Sequence, residues 1–196
     1  MKLLRLLRCG LLILLVFAIG LVAGQLIRTI AAPLMIGGPF TLPATDGTMV
    51  TDRTYRGKWL LVYFGYTSCP NTCPTMLIEI GTALATLGAE AGKLQPLFIT
   101  VDPQRDTAEL LREYLQSFDP RIVGLTGTPQ QIADAAQEYG VYYAPHRIGP
   151  SAEDYVIDHS SYLYLMDPQG SFVQGFDADT SGDRIAGIVR ELMARQ

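Results

Sequence analysis

Trp59-Leu-Leu-Val-Tyr-Phe-Gly-Tyr-Thr-Ser-Cys69-Pro-Asn-Thr-Cys73-Pro74 is the stretch on which the fold turns. Trp59–Phe64 is a continuous apolar run, which suits a strand buried on both faces and flanked by helices. It runs straight into a loop carrying two cysteines. Pro74 suits a first helical position, which makes Cys73 the expected N-cap and puts Cys69 just before a helix start. The positive end of a helix favours thiolate over thiol, and thiolate is both nucleophile and soft metal ligand. A structural disulfide, a redox couple and a metal site all fit this pair at this stage. Thioredoxin-type enzymes share the layout but separate their cysteines by two residues, where this chain has three.

Beyond Pro74, Met76, Leu77, Ile80, Leu84 and Leu87 keep helical spacing, and Gly88 ends the run. Pro96–Val101 reads as the next strand. Asp106 is the expected cap of a helix bearing Leu110, Leu111, Tyr114 and Leu115, with Glu109 as the residue reaching back. Val123–Leu125 is a short strand, and Thr128-Pro129 starts a helix closed by Gly140. Tyr162–Met166 and Ser171–Phe176 are strands joined by the turn Asp167-Pro168-Gln169-Gly170. A last helix starts at a Ser181 cap and carries Ile185, Ile188, Val189 and Leu192. Before the central strand, Phe40–Leu42 and Thr48–Thr51 read as a hairpin. A βαβ half followed by ββα is a thioredoxin-like α/β arrangement with an added N-terminal β-hairpin.

The N-terminus has a different character. Lys2, Arg5 and Arg8 precede an apolar run over residues 9–27, which at 19 residues spans about 28 Å as a helix. The expected organisation is a cytoplasmic basic flank at 1–8, a transmembrane anchor at 9–27, a linker at 28–39 and a domain at 40–196. The basic flank keeps the N-terminus inside and places the domain across the membrane. Val22-Ala23-Gly24 offers a cleavage position, but the apolar run is longer than a usual signal core. The absence of a long Arg- and Ser-rich leader points to a bacterial inner-membrane protein facing the periplasm.

Of 15 basic residues four lie in the first 28 positions, so the remainder carries 11 against all 19 acidic ones. Such a body repels phosphate backbones, which argues against a nucleic-acid partner. Three cysteines in all do not make a disulfide-rich scaffold.

Three ordered motifs carry a family resemblance: the cysteine segment, Thr100-Val-Asp-Pro-Gln-Arg-Asp-Thr107, and Tyr155-Val-Ile-Asp-His159-Ser. Together they resemble the Sco/SenC pattern from about Ile36 to the C-terminus. The resemblance implies that Cys69, Cys73 and His159 bind copper, one ion per domain, as Cu(I), Cu(II) or both. The chemistry agrees, since thiolates suit Cu(I) and imidazole suits either copper state. The resemblance further implies delivery of copper to the binuclear copper site of cytochrome c oxidase subunit II, with an upstream copper donor. The rival is a thiol–disulfide reductase that keeps the target's copper-ligating cysteines reduced, working through a redox-active Cys69–Cys73 disulfide.

Other polar residues have plainer readings. His146 sits among loop residues and reads as solvated. His159-Ser160-Ser161 occupies the position where thioredoxin-like proteins usually carry a proline, which favours metal over disulfide exchange. Asp158 is a candidate for orienting the imidazole, while Asp102 and Asp106 are explained by a turn with Pro103 and by the helix cap. Tyr139, Tyr142, Tyr143, Tyr162 and Tyr164 read as half-buried core and strand residues.

Overall fold

In the computed structural model, residues 36–195 are described, together with Val16, Ala18 and Gly20. The expected anchor at 9–27, and Cys9 with it, lies almost wholly outside the described residues. Among those described, no helix is long and apolar enough to cross a membrane. The chain divides into two units, Met1–Leu34 and Met35–Gln196, and every element named below belongs to the second.

At the centre stands β3, Trp59–Gly65, with all seven residues buried. It pairs in parallel with β4, Leu94–Thr100, and antiparallel with β8, Leu163–Met166. β5, Val123–Leu125, adds parallel to β4, and β9, Phe172–Phe176, adds antiparallel to β8. The five-stranded order is β5-β4-β3-β8-β9. A strand with neighbours on both edges and helices over the sheet has no polar face to present, which explains the unbroken apolar run.

Four helices complete the domain: α1, Thr72–Leu87; α2, Ala108–Leu115; α3, Pro129–Glu138; and α4, Gly182–Met193. A 3₁₀ turn, Gly88–Lys93, links α1 to β4. The hairpin of β1, Thr41–Pro43, and β2, Met49–Thr51, forms one residue later than expected at its first strand. It is tied to β5 by a bridge between Ala44 and Leu125 and by the Thr126 amide on the Pro43 carbonyl.

Several expected helix ends differ. α1 begins at Thr72 after Asn71, so Cys73 is the second helical residue and not the cap. Pro74 is still tolerated, because the first four amides of a helix have no partner within it. Thr107, not Asp106, caps α2, its hydroxyl accepting from the Leu110 amide, and Glu109 does not complete a box. Thr128 and Gln131 form a full capping box on α3, and Gly140 ends that helix at a φ of 63°, where a side chain is disfavoured. Ser181 stands at the cap of α4 without a side-chain bond, and the Gly182 amide donates to the Glu79 carboxylate of α1 instead.

One element was not expected. β6, Tyr143–Arg147, and β7, Tyr155–His159, form a separate antiparallel pair, with His146 opposite Val156 and Tyr143 opposite His159. His146 therefore belongs to a strand, not a loop. Tyr139 and Tyr164 are buried, but Tyr142 and Tyr162 are exposed and do not belong to the core.

Candidate metal centre

The end of β3, the start of α1 and the end of β7 converge. Cys69 lies in the loop after β3, Cys73 in the first turn of α1, and His159 closes β7. Their Sγ and imidazole nitrogen atoms all lie within 4.8 Å of one another. His159 Nε2 is 3.6 Å from Cys73 Sγ. Both cysteines are free thiols, Cys73 buried and Cys69 half-buried.

The two thiols are unlike. The Cys73 amide, at the start of α1, donates to Cys69 Sγ over 3.4 Å, so Cys69 takes the acceptor's place at the helix end. The Cys69 thiol is pushed down to about 4 by its hydrogen bond with the Cys73 thiol, with further help from the Cys73 and Asn71 amides against its partial burial. Cys73 is pushed up, because it shares its proton with the ionised Cys69 and is itself buried. The Tyr63 hydroxyl points at Cys73 Sγ from 3.8 Å, and burial pushes its own ionisation up.

The imidazole is set from the other side. His159 Nδ1 is 3.1 Å from the Ser160 carbonyl oxygen. A carbonyl only accepts, so in the neutral ring Nδ1 carries the proton and the Nε2 lone pair is left facing the thiols. Asp158, proposed from sequence for orienting the ring, is exposed and pairs across the hairpin with Ala144. It lines the rim of the site cleft, about 310 Å³, together with Tyr66, Cys69 and Pro70; the ring's own partner is Ser160. His146 takes no part in the cluster.

Residues around the cluster do more than their sequence positions suggested. The Tyr66 hydroxyl accepts from the Ile157 amide at 3.2 Å, and its ring meets the imidazole edge-on at 5.7 Å between centroids. Asp106 is fully buried and accepts from the Thr67 amide and from the hydroxyls of Thr67 and Thr100. Burial pushes its carboxyl up despite these donors. Asp102 turns the chain, its carbonyl taking the Arg105 and Asp106 amides. Its buried carboxylate also pairs with Arg105 and accepts from the Tyr155 hydroxyl at 2.7 Å. Tyr66 lines the site without having been singled out from the sequence. Its place three residues before Cys69 was the only available signal.

Two thiols and one imidazole with its lone pair inward form a soft, three-donor set suited to Cu(I), with room for imidazole-assisted Cu(II). Hard cations that need carboxylate oxygens find none among these donors.

Known proteins resemble this chain over nearly all the described region. Residues 29–194 match the SCO1/SenC family profile. The mitochondrial protein SCO1 homolog 1 of Arabidopsis thaliana is 40% identical over 164 residues, covering 83% of this chain. Protein sco1 of Schizosaccharomyces pombe is 40% identical over 167 residues, covering 84%. The chain spans 48% of the first relative's length and 63% of the second's. Among solved structures, copper-bound ScoI of Bradyrhizobium japonicum superposes with a TM-score of 0.73 at 42% identity, covering 80% of this chain and 98% of its own. With the fold, the three motifs and this breadth of match together, the chain belongs to the SCO1/SenC family.

Proposed function

We propose that the domain binds one copper ion through Cys69, Cys73 and His159 and passes it to the binuclear copper site of cytochrome c oxidase subunit II. The observation that carries this reading is the convergence of three soft and borderline donors within 4.8 Å. Copper bound in the Bradyrhizobium relative supports it. Three donors leave copper coordinatively open, so an incoming cysteine can join before one of these ligands leaves. The ion is cargo, received from an upstream copper donor and released to the target. The test is copper stoichiometry of the full-length protein under competition with a chromophoric Cu(I) chelator. One tightly held ion, lost when both cysteines become serine, supports the reading; equal retention by the serine variant refutes it.

A second reading has its own observation, the pairing of an ionised, half-exposed Cys69 with a buried, protonated Cys73. Cys69 would attack a target disulfide, releasing one target thiolate and forming a mixed disulfide. Cys73, losing its proton, would then attack Cys69 and release the second target thiolate. Two electrons pass to the target and a Cys69–Cys73 disulfide remains. Insulin-disulfide reduction by the reduced protein, measured beside copper binding, separates the two.

The same proposal includes the anchor at 9–27, the cytoplasmic N-terminus, and a periplasmic domain on the bacterial inner membrane. A membrane-impermeant thiol reagent on intact spheroplasts is expected to label Cys69 or Cys73 and to spare Cys9. Labelling of the pair only after permeabilisation refutes this topology.

A further inference from the structure

The strand that carries His159 is not hydrogen-bonded into the five-stranded sheet; β6 and β7 form a sheet of their own. Side-chain contacts therefore help to set the position of the imidazole relative to the thiols. Arg105, in the segment after β4, stands where they do so. Its guanidinium carbon lies 3.7 Å from the centroid of Tyr155 on β7 and 5.8 Å from that of Tyr66 in the cysteine loop. Its Nη1 donates to the Tyr155 carbonyl at 2.9 Å and to the Glu153 carbonyl at 3.3 Å. Its Nε pairs with the buried Asp102 carboxylate, which also holds the Tyr155 hydroxyl.

We propose that Arg105 is a positioning residue: held between the Tyr66 and Tyr155 rings, it clasps the histidine strand to the cysteine loop and fixes where His159 stands relative to the thiols. The inference rests on the reading of Cys69, Cys73 and His159 as the copper site. A guanidinium suits the task because its plane stacks on aromatic rings while its edge donates to carbonyls and carboxylates; a lysine ammonium does not do both. Arg105 Nη2 is buried without a hydrogen-bond partner. The clasp connects to both ends of the site, since Tyr66 also accepts from the Ile157 amide, two residues before His159.

The test uses full-length Arg105→Met, Arg105→Lys and Tyr155→Phe, with Arg121→Gln as a control that removes an arginine paired with Asp119 away from the site. Copper titration followed by visible absorbance and paramagnetic resonance is one readout. Amide hydrogen exchange at 155–159 in copper-free protein is the other. Both Arg105 variants are expected to weaken Cu(II) binding about 10–100-fold, the usual effect of losing a partner that orients a metal ligand. Both are also expected to shift the spectrum and to speed exchange at 155–159, while Arg121→Gln matches the parent. Tyr155→Phe, which removes only the hydroxyl bond to Asp102, is expected to do the same by a few fold, and covers the case in which the Arg105 variants fail to fold. Parent-like spectra and affinity in folded Arg105→Lys overturn the proposal, as does a lowered melting temperature with no change at the metal or in exchange. A parent protein that binds no copper defeats the underlying reading instead, and the exchange measurement still decides the clasp.

Discussion

His159 Nε2 lies 3.6 Å from Cys73 Sγ across 86 residues of chain. One member of the pair stands on the first turn of a helix and the other at the end of a detached hairpin. Their meeting brings one of the two sulfur donors of the site to its nitrogen.

Removing that donor separates the two copper states. Two thiolates suffice for Cu(I), whereas Cu(II) prefers more donors and takes nitrogen readily. His159→Ala is expected to retain some Cu(I) and to lose most of the sulfur-to-Cu(II) charge-transfer band. His146→Ala is expected to match the parent, since His146 is exposed on β6 opposite Val156. A Cu(II) titration on both variants decides it, and an unchanged band in His159→Ala would falsify the ligand assignment.

The thiols themselves differ in reactivity. With Cys69 held at about 4, its thiolate fraction is already full at mildly acid pH, and it falls only as the pH drops through that value. Iodoacetamide on copper-free protein is expected to modify Cys69 at a rate nearly flat from about pH 6 to 8, where an ordinary thiol near 8.5 gains about tenfold per unit. Cys73, buried and pushed up, is expected to react far more slowly. Peptide mass spectrometry gives both rates; a Cys69 rate climbing tenfold per unit would rule the depression out.

What the sequence made legible follows from the range of the forces involved. The burial of Trp59–Gly65 is written in seven residues without a charge, and the helix after Cys73 in its apolar spacing. β6 and β7 left no such trace: Pro145 interrupts the first, three of its five residues are exposed, and no alternation results. Asp106 misled for a related reason. Its local context, four residues before Leu110, is that of a helix cap, but its partner Thr67 lies 39 residues away, and burial next to that partner decided its role. The position of His159 was legible only through the combination of motifs, since nothing near it in sequence fixes a hairpin edge against a helix start.

Asp106 also yields a pH dependence with a definite sign. Burial raises its carboxyl above the unfolded value, so the folded protein binds that proton more tightly than the unfolded chain. Its contribution is fully present below the unfolded value, about 3.9, and is lost as the pH rises through the raised folded value. Asp106→Asn removes this titration, so the parent's advantage over the variant is expected to be greatest in acid and to shrink toward neutrality. Asp106→Ala strands donors on half-buried Thr67 and buried Thr100 and is expected to cost about 1–3 kcal/mol for each one left unmet by water. Thermal melts across pH check both, and an advantage that grows toward neutrality would contradict the raised carboxyl.

Gly65 offers the most direct way to move a thiol without touching a ligand. It is the last residue of β3, buried and paired with Thr100. A Cβ there would lie 2.8 Å from Cys73 Sγ and 3.0 Å from the Phe98 ring. The two neighbours differ in freedom: the Phe98 ring is fully buried, whereas the Cys73 sulfur turns about a single side-chain bond on a backbone fixed by the first turn of α1. Gly65→Ala is therefore expected to destabilise the fold by about 1–3 kcal/mol, the usual cost of overpacking a filled core. The sulfur is the softer obstacle, so it is expected to be displaced and to change its separation from His159. Copper binding should then weaken and its spectrum shift even where the protein remains folded. Gly182→Ala provides the comparison, since its Cβ would press on Glu79, Thr82 and Ala83 of α1 instead of on the site. Melting temperature and copper competition on the two variants check the difference. If both lose stability alike and neither alters the metal spectrum, Gly65 serves packing alone and the close approach to Cys73 has no consequence for the site.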